Sequence, residues 1–317
     1  VIQYRTFRNT DPPAIVDLWN ACFTGRGAAF LRGSTLLDYF TLSKPYFDPG
    51  GLTLAIADGR PVGFVHSGFG PDERGADLNI RLGVICSIGV LPTHRRQGIG
   101  TELMRHAEDF LQSHGATQVF AGPMVPLNPF TFAIYGGANS CGFLASEPAV
   151  RPFLERRGYQ AGPARLVLQR SLDTVPAVGD GRFADLRQRY EIVGTPQHGL
   201  SWYEECVLGP IELHEYRMTD RTTGRAVARA NLWEMDTFNQ RWNEHAVGFV
   251  NLEVMPDMRR QGLGKFVMSQ LLRHLHEQFF TLVEAHAPAD NEAATGILKL
   301  FGFTQVDEGF GYSRIGK

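Results

Sequence analysis

Two heptads, His94-Arg95-Arg96-Gln97-Gly98-Ile99-Gly100 and Met258-Arg259-Arg260-Gln261-Gly262-Leu263-Gly264, stand 164 residues apart in a chain of 317. Each joins two arginines to two glycines, follows an apolar run and precedes residues at helical spacing. That pattern is a strand-to-helix turn. The first N–H groups of a helix lack intrahelical partners and the helix dipole is positive there, so such a turn takes up phosphate or pyrophosphate. Glycine has no Cβ to hold an anion off the backbone, and arginine adds charge-assisted contacts at the rim.

Other phosphate loops fail on spacing. In G-x-x-x-x-G-K-[ST], Arg259 stands at the first glycine and Phe266 follows Lys265; in G-x-G-x-x-G, Leu103 and Val267 occupy the third glycine.

The elements around each heptad recur in the same order. In the first half, Ile2 to Phe7 reads as a strand. Pro12-Pro13 then open an amphipathic helix, and Leu52 to Ile56 with Val62 to His66 form a hairpin. Val84 to Leu91 is a strand ending at Pro92. Ile99, Leu103, Ala107, Phe110 and Leu111 mark one helix face, Gln118 to Ala121 is a strand, Val150 to Arg157 a short helix, and Leu166 to Gln169 the last strand. In the second half, Ile211 to Met218, Ala226 to Trp233 and Val247 to Met255 are strands. Leu263, Val267, Leu271 and Leu275 mark a helix, followed by a strand at Leu282 to Ala285, a helix at Ala293 to Phe301 and a final strand at Gly309 to Arg314. The offset far exceeds the 20 to 50 residues of a solenoid repeat. It implies a duplicated domain, with units over residues 1–172 and 183–317 and a polar Gly/Pro-containing linker at 173–182.

Strand, V-x-P, then R-x-x-G-x-G opening a helix resembles motif A of the GNAT superfamily of N-acetyltransferases. It occurs twice, at Val90 to Gly100 and at Val254 to Gly264. The resemblance implies an α/β fold of α+β type, with two GNAT domains in tandem, each a splayed, mostly antiparallel mixed sheet flanked by helices. It implies acetyl-CoA as donor. The pyrophosphate would rest on the backbone of Arg96, Gln97, Gly98, Ile99, Gly100 and Thr101, or of Arg260, Gln261, Gly262, Leu263, Gly264 and Lys265, with Arg95 and Arg259 at the rim. Backbone groups of Ile88 and Val90, or Leu252 and Val254, would hold the pantetheine arm and the thioester carbonyl, the latter as an oxyanion-type donor. Asn291, Ala294, Leu298, Gly302 and Phe303 resemble the family's cofactor-contacting helix; in the first half Glu147 stands at the place of that Asn.

The resemblance also implies direct attack of an amine on the thioester. An amine of pKa about 10.4 is protonated at neutral pH, so a proton acceptor is needed. The family's base positions fall on Val84 and Cys86, and on Gly248 and Val250; its tyrosine acid falls on Leu154 and Leu298. Neither half carries the usual pair. Glu253 is a candidate base if a bulge turns it inward, against a salt-bridged strand residue. Cys86 stands at a catalytic place but within an apolar run, and positioning with water as proton carrier is a third route. The long segment Pro123 to Pro148, rich in aromatics, Gly and Asn, reads as a substrate-side lid, a cover between domains or a packing insert. Tyr135 and Asn128 are its polar candidates, and Tyr135 with Glu253 are the catalytic candidates.

With Lys+Arg 31 against Asp+Glu 33, the chain has no electrostatic footprint for nucleic acid or anionic lipid. The partner expected is a small-molecule or peptide amine; the oligomeric state stays open. Four scattered cysteines without C-x-x-C spacing point to no metal site, and with no signal-peptide or membrane-span pattern they fit a reducing cytoplasm. The missing acid/base pair leaves a second reading, a non-catalytic CoA-binding sensor or scaffold.

Overall fold

The computed structural model describes residues 1–175 and 178–315. The first half runs β1 (Ile2–Thr6), α1 (Pro12–Cys22), α2 (Ser34–Leu37), β2 (Leu52–Ala57), β3 (Arg60–Pro71), β4 (Leu78–Val90), α3 (Ile99–Ser113), β5 (Gln118–Ala121), β6 (Phe143–Leu144), α4 (Val150–Glu155), β7 (Gln160–Ala161) and β8 (Arg165–Ser171). The second runs α5 (Phe183–Arg189), β9 (Tyr190–Gln197), α6 (Trp202–Leu208), β10 (Leu213–Asp220), β11 (Ala226–Glu234), α7 (Asp236–Trp242), β12 (Ala246–Val254), α8 (Leu263–Glu277), β13 (Leu282–Pro288), α9 (Glu292–Leu300), β14 (Thr304–Phe310) and β15 (Tyr312–Ile315).

These strands make two mixed sheets with flanking helices. One has the order β1-β2-β3-β4-β5-β15-β7, the other β6-β14-β8-β13-β12-β11-β10-β9. Among the described residues only β4 with β5 and β12 with β13 pair in parallel. Each of those pairs is bridged by the helix after a heptad, as a parallel crossover requires. The second half also has a leading strand, β9, and helices α5 and α6 that hydrophobic spacing alone did not reveal.

The halves exchange strands. β8, which sequence order makes the last strand of the first half, pairs with β13 and β14 in the second sheet. The expected final strand from Gly309 is two strands parted at Gly311: β14 stays in the second sheet, and β15 crosses to pair with β5 and β7 in the first. A cut at 172/183 therefore runs through both sheets. Alternation along a strand reports which side chains are buried and says nothing about the neighbour it pairs with.

Both heptad strands carry a bulge four residues before their last residue. His66 pairs with Ser87 and Ser67 with Ile85, leaving Cys86 unpaired; Asn231 pairs with Asn251 and Leu232 with Phe249, leaving Val250 unpaired. An extra residue bends its strand and ends regular pairing. In the first sheet β4 pairs with β5 only from Leu82 to Ile85, so Ile88 to Val90 have no strand on that side.

The helices after the heptads anchor the turns. α3 buries Ile99, Leu103, Met104, Ala107 and Leu111, and α8 buries Leu263, Phe266, Val267, Leu271, Leu272 and Leu275. Each large side chain so buried contributes about 1.5–3 kcal/mol. The segment from Pro123 to Pro148 packs between the halves. Trp233 Nε1 donates to Ala138 O at 2.9 Å, Ala138 N donates to Glu284 Oε1 at 2.7 Å, and β6 pairs with β14. No described helix is long and apolar enough to cross a membrane.

Candidate active site

The two heptads fold alike. After β4, residues 92–94 make a single 3-10 turn; Arg96 and Gly98 then take positive φ of 63° and 83° and α3 begins at Ile99. After β12, Arg260 and Gly262 take φ of 64° and 81° before α8. Successive N–H groups in such a backbone converge on a concavity suited to an anion. The second glycine of each pair has a packing duty. A Cβ at Gly100 would lie 3.2 Å from Phe153 of α4, and one at Gly264 would lie 3.4 Å from Ile297 of α9.

Arg95 and Arg259 turn back rather than outward. Arg95 Nε donates to Val90 O at 2.9 Å and Arg259 Nε to Val254 O at 3.1 Å. Each arginine thus ties the turn to the end of its own strand. The N–H and C=O of one strand residue point to the same side, and Leu91 N reaches β3 through Val62 O. Val90 and Ile88 therefore point to the side where β5 has ended. The Val90 carbonyl is held by Arg95; the N–H groups of Ile88 and Val90 face the opening.

A cleft of about 520 Å³ joins these parts. Its lining includes Ile88 to Val90, Arg95, Arg96, Gly98, Gly100 and Thr101, with Arg156 and Arg157 as further cations, Arg157 hydrogen-bonded to Thr101 Oγ1, and Cys22, Tyr135 and Glu147 as other polar groups. A Cβ at Gly98 would meet nothing within 4 Å, so the turn is open. Tyr135 is buried, its oxygen accepting a hydrogen bond from Leu144 N at 3.2 Å. Burial pushes its phenol well above the usual tyrosine range, so it is held protonated. Burial also pushes the Cys22 thiol up to about 11, with Arg95 opposing.

Around the second turn the surroundings differ. A Cβ at Gly262 would lie 3.1 Å from a guanidinium nitrogen of Arg182. Arg182 is held by Asp180 at 2.7 Å, and the Asp180 carboxyl is kept far below its usual range by that hydrogen bond, with Lys265 adding to the effect. Residues ahead of α5 thus lie across the second cradle. Asn291 caps α9, its Oδ1 accepting from Ala294 N at 3.0 Å. Glu253 is ion-paired with Arg229 at 2.8 Å across β11 and β12, and the bulge lies at Val250 rather than beside it. Glu253 is not among the residues of the first cleft. Met255 N reaches β11 through Val227 O, and β13 pairs with β12 only from Ala246 to Phe249, so the N–H groups of Leu252 and Val254 point away from β11 as those of Ile88 and Val90 point away from β3.

Of the two catalytic candidates, the structure brings Tyr135 alone to the open turn. Asn128 is folded inside the inserted segment, donating to Ser140 Oγ at 3.1 Å. Cys86 is fully buried against Val84 and Phe130, and burial drives its thiol far upward. Cys22, Arg156 and Arg157 were not marked as site residues by the sequence. They lie on α1 and beside α4, and only the packing of those helices against β4 and α3 brings them to the cleft.

The acetyltransferase (GNAT) family model matches residues 13–143 and 184–303. A tandem GNAT protein from the clavulanic acid biosynthesis pathway superposes with a TM-score of 0.66 at 17% identity, covering 100% of this chain and 99% of its own. A GCN5-related N-acetyltransferase from Sphaerobacter thermophilus gives 0.64 at 15% identity, covering 99% and 95%. A GCN5-related glucosamine N-acetyltransferase region of a fungal multi-domain GH3 β-N-acetylglucosaminidase gives 0.70 at 13% identity, covering 99% of this chain and 38% of that one. At these identities the likeness is one of fold. Among curated proteins no sequence matches. With the family model covering both halves, and two sheets each carrying the motif turn, the chain belongs to the GNAT acetyltransferase family.

Proposed function

We propose that the protein transfers an acetyl group from acetyl-CoA to a primary amine of a small molecule or peptide, and that it does so in the cleft of the first half. The observation that carries this reading is the joining, in one open cleft, of the Arg96–Thr101 cradle, the unpaired N–H groups of Ile88 and Val90, and the protonated phenol of Tyr135. Acetyl-CoA supplies an activated acetyl thioester.

The chain's own residues fit that donor. Positive φ at Arg96 and Gly98 and the empty space over Gly98 leave room for a pyrophosphate on the backbone amides. Arg156 and Arg157 add positive charge to the same cleft, Arg157 beside Thr101 of the turn. The strand N–H groups of Ile88 and Val90 orient a carbonyl, and the neutral Tyr135 hydroxyl offers a hydrogen bond to a departing sulfur. Apolar Phe23, Phe143 and Leu154 line the same cleft. The second turn, under Arg182, is assigned a structural role, so one donor binds per chain.

Thiol release from acetyl-CoA, assayed against a panel of amines, tests the reading. Turnover with at least one amine, lost in Gly98→Glu, is the expected result. Tight acetyl-CoA binding without turnover on any amine would leave a CoA-binding module instead.

A further inference from the structure

We propose that Glu147 is the catalytic base of the first cleft, taking a proton from the acceptor ammonium. This rests on the acetyl-transfer reading above and adds to it the proton acceptor that no usual position supplies. Val84 and Cys86 carry apolar and buried thiol groups at the usual places, and Glu253 belongs to an ion pair in the other half.

Glu147 reaches the cleft from the segment that leads into α4. It lines the same cavity as Ile88 to Val90 and Tyr135. No hydrogen bond from a described residue contributes to the state of its carboxyl: the groups that act on it are Arg95 from the heptad turn and Asp307 from β14, both through charge. Its own charge is felt by Tyr135 on the insertion and by Cys22 on α1, so the carboxylate lies within electrostatic reach of the phenol. Asp307 is turned away to Ser146, accepting from its N at 3.2 Å and its Oγ at 2.5 Å. Glu147 is therefore the cleft carboxylate whose oxygens accept no hydrogen bond from the described residues. Gly25 makes room for it, since a Cβ there would lie 2.9 Å from Glu147 Oε1.

Burial raises the Glu147 pKa above the ordinary glutamate value, with Arg95 opposing and Asp307 adding to the rise. A carboxyl moved toward neutrality is a better match for proton transfer at neutral pH than an ordinary one. The proton balance closes. Glu147 takes one proton from R–NH3+ and later passes it to solvent. The freed nitrogen lone pair forms the C–N bond as the C–S bond breaks, the sulfur departs as a thiolate hydrogen-bonded by the Tyr135 hydroxyl, and the second proton from nitrogen passes to it.

Two variants separate this role from a structural one. Glu147→Gln removes the base; Gly25→Ala keeps the carboxylate but displaces it, at the flexible end of a side chain. Both should still bind acetyl-CoA in calorimetry. Glu147→Gln should lose about 10²–10⁴-fold in kcat/KM at neutral pH. That deficit should shrink as pH rises toward the pKa of the free amine, about 10.4 for a lysine-like acceptor. Independently of turnover, 13C NMR titration of glutamate carboxyls should show one group titrating above the ordinary range that is absent in Glu147→Gln. Parent kcat/KM and an unchanged pH profile in both variants would overturn the assignment, as would a titration with no elevated carboxyl removed by the substitution. Should the parent protein turn over no amine, the acetyl-transfer reading fails, and the carboxyl titration still decides whether Glu147 has the proton affinity assigned to it.

Discussion

Arg182 lies over Gly262: a Cβ on that glycine would stand 3.1 Å from the guanidinium, whereas a Cβ on the matching Gly98 would meet nothing within 4 Å. Two turns of one sequence pattern and one backbone shape thus differ in access. Acetyl-CoA should bind with a calorimetric stoichiometry of one. Gly98→Glu, which puts bulk and negative charge into the open cradle, should abolish that binding; Gly262→Glu should leave it intact. Two equivalents bound by the parent chain, or loss of binding in Gly262→Glu, would show that both cradles are used.

Tyr135→Phe removes the phenolic proton from the cleft while keeping the ring. A loss of about 10²-fold in kcat is expected from losing the hydrogen bond to the departing sulfur, with acetyl-CoA affinity unchanged. The substitution also strands Leu144 N, whose hydrogen bond goes to the Tyr135 oxygen, and an unpaired buried donor costs about 1–3 kcal/mol. A lowered thermal midpoint should therefore accompany the kinetic loss. Full activity in the variant would remove Tyr135 from the mechanism.

Because β15 pairs with β5, ending the chain at Gly311 should damage the first half, far away in sequence. β5 would gain an open edge where Tyr312 and Arg314 now pair with Ala121 and Val119, and Arg314 would no longer meet Glu108 of α3 at 2.8 Å. The measurement is acetyl-CoA binding at the Gly98 turn together with the number of unfolding transitions. Binding equal to the parent's would mean that the exchanged strand is dispensable.

Asp11 ties the start of α1 to β1. Its two oxygens accept from Arg5 at 2.7 and 2.8 Å, and one also accepts from Arg8 N at 2.7 Å. The Arg5 hydrogen bond is the largest cause that lowers its pKa below the ordinary aspartate value. A carboxyl whose folded pKa is depressed adds stability above its unfolded pKa, and that stability is lost as pH falls through the folded value. Asp11→Asn should therefore cost about 2 kcal/mol at neutral pH. The gap should narrow once the pH drops below about 3.9. Denaturant unfolding at several pH values reads both effects; a gap that is constant with pH would mean the charge is not what matters.

The duplicated motif, the strand before it and the helix behind it were legible because glycine, arginine and apolar spacing are local signals. The same signals mark Gly98 and Gly100 as lying on an anion-binding turn, the resemblance implies its extent from Arg96 to Thr101, and Arg96 and Gly98 take positive φ. They could not separate Gly98 from Gly262, because the difference lies in Arg182, a residue outside the motif whose path no periodicity describes. Nor could they show that Arg95 is turned back to Val90 O. Glu147 stood at a recognisable position opposite the second half's Asn291, but its place beside Tyr135 depends on how the inserted segment folds. The exchange of β8 and β15 was invisible because strand partners are chosen by long-range packing.

The crossing of β15 into the first sheet also sets a clock for synthesis. On a ribosome adding about 5–20 residues per second, β5 emerges on the order of ten to forty seconds before its β15 partner. Throughout that interval the nascent first sheet presents an unpaired edge, the kind of surface that recruits other chains. Its sheet closes only when translation has passed Ile315, so the half made first is among the last to be finished.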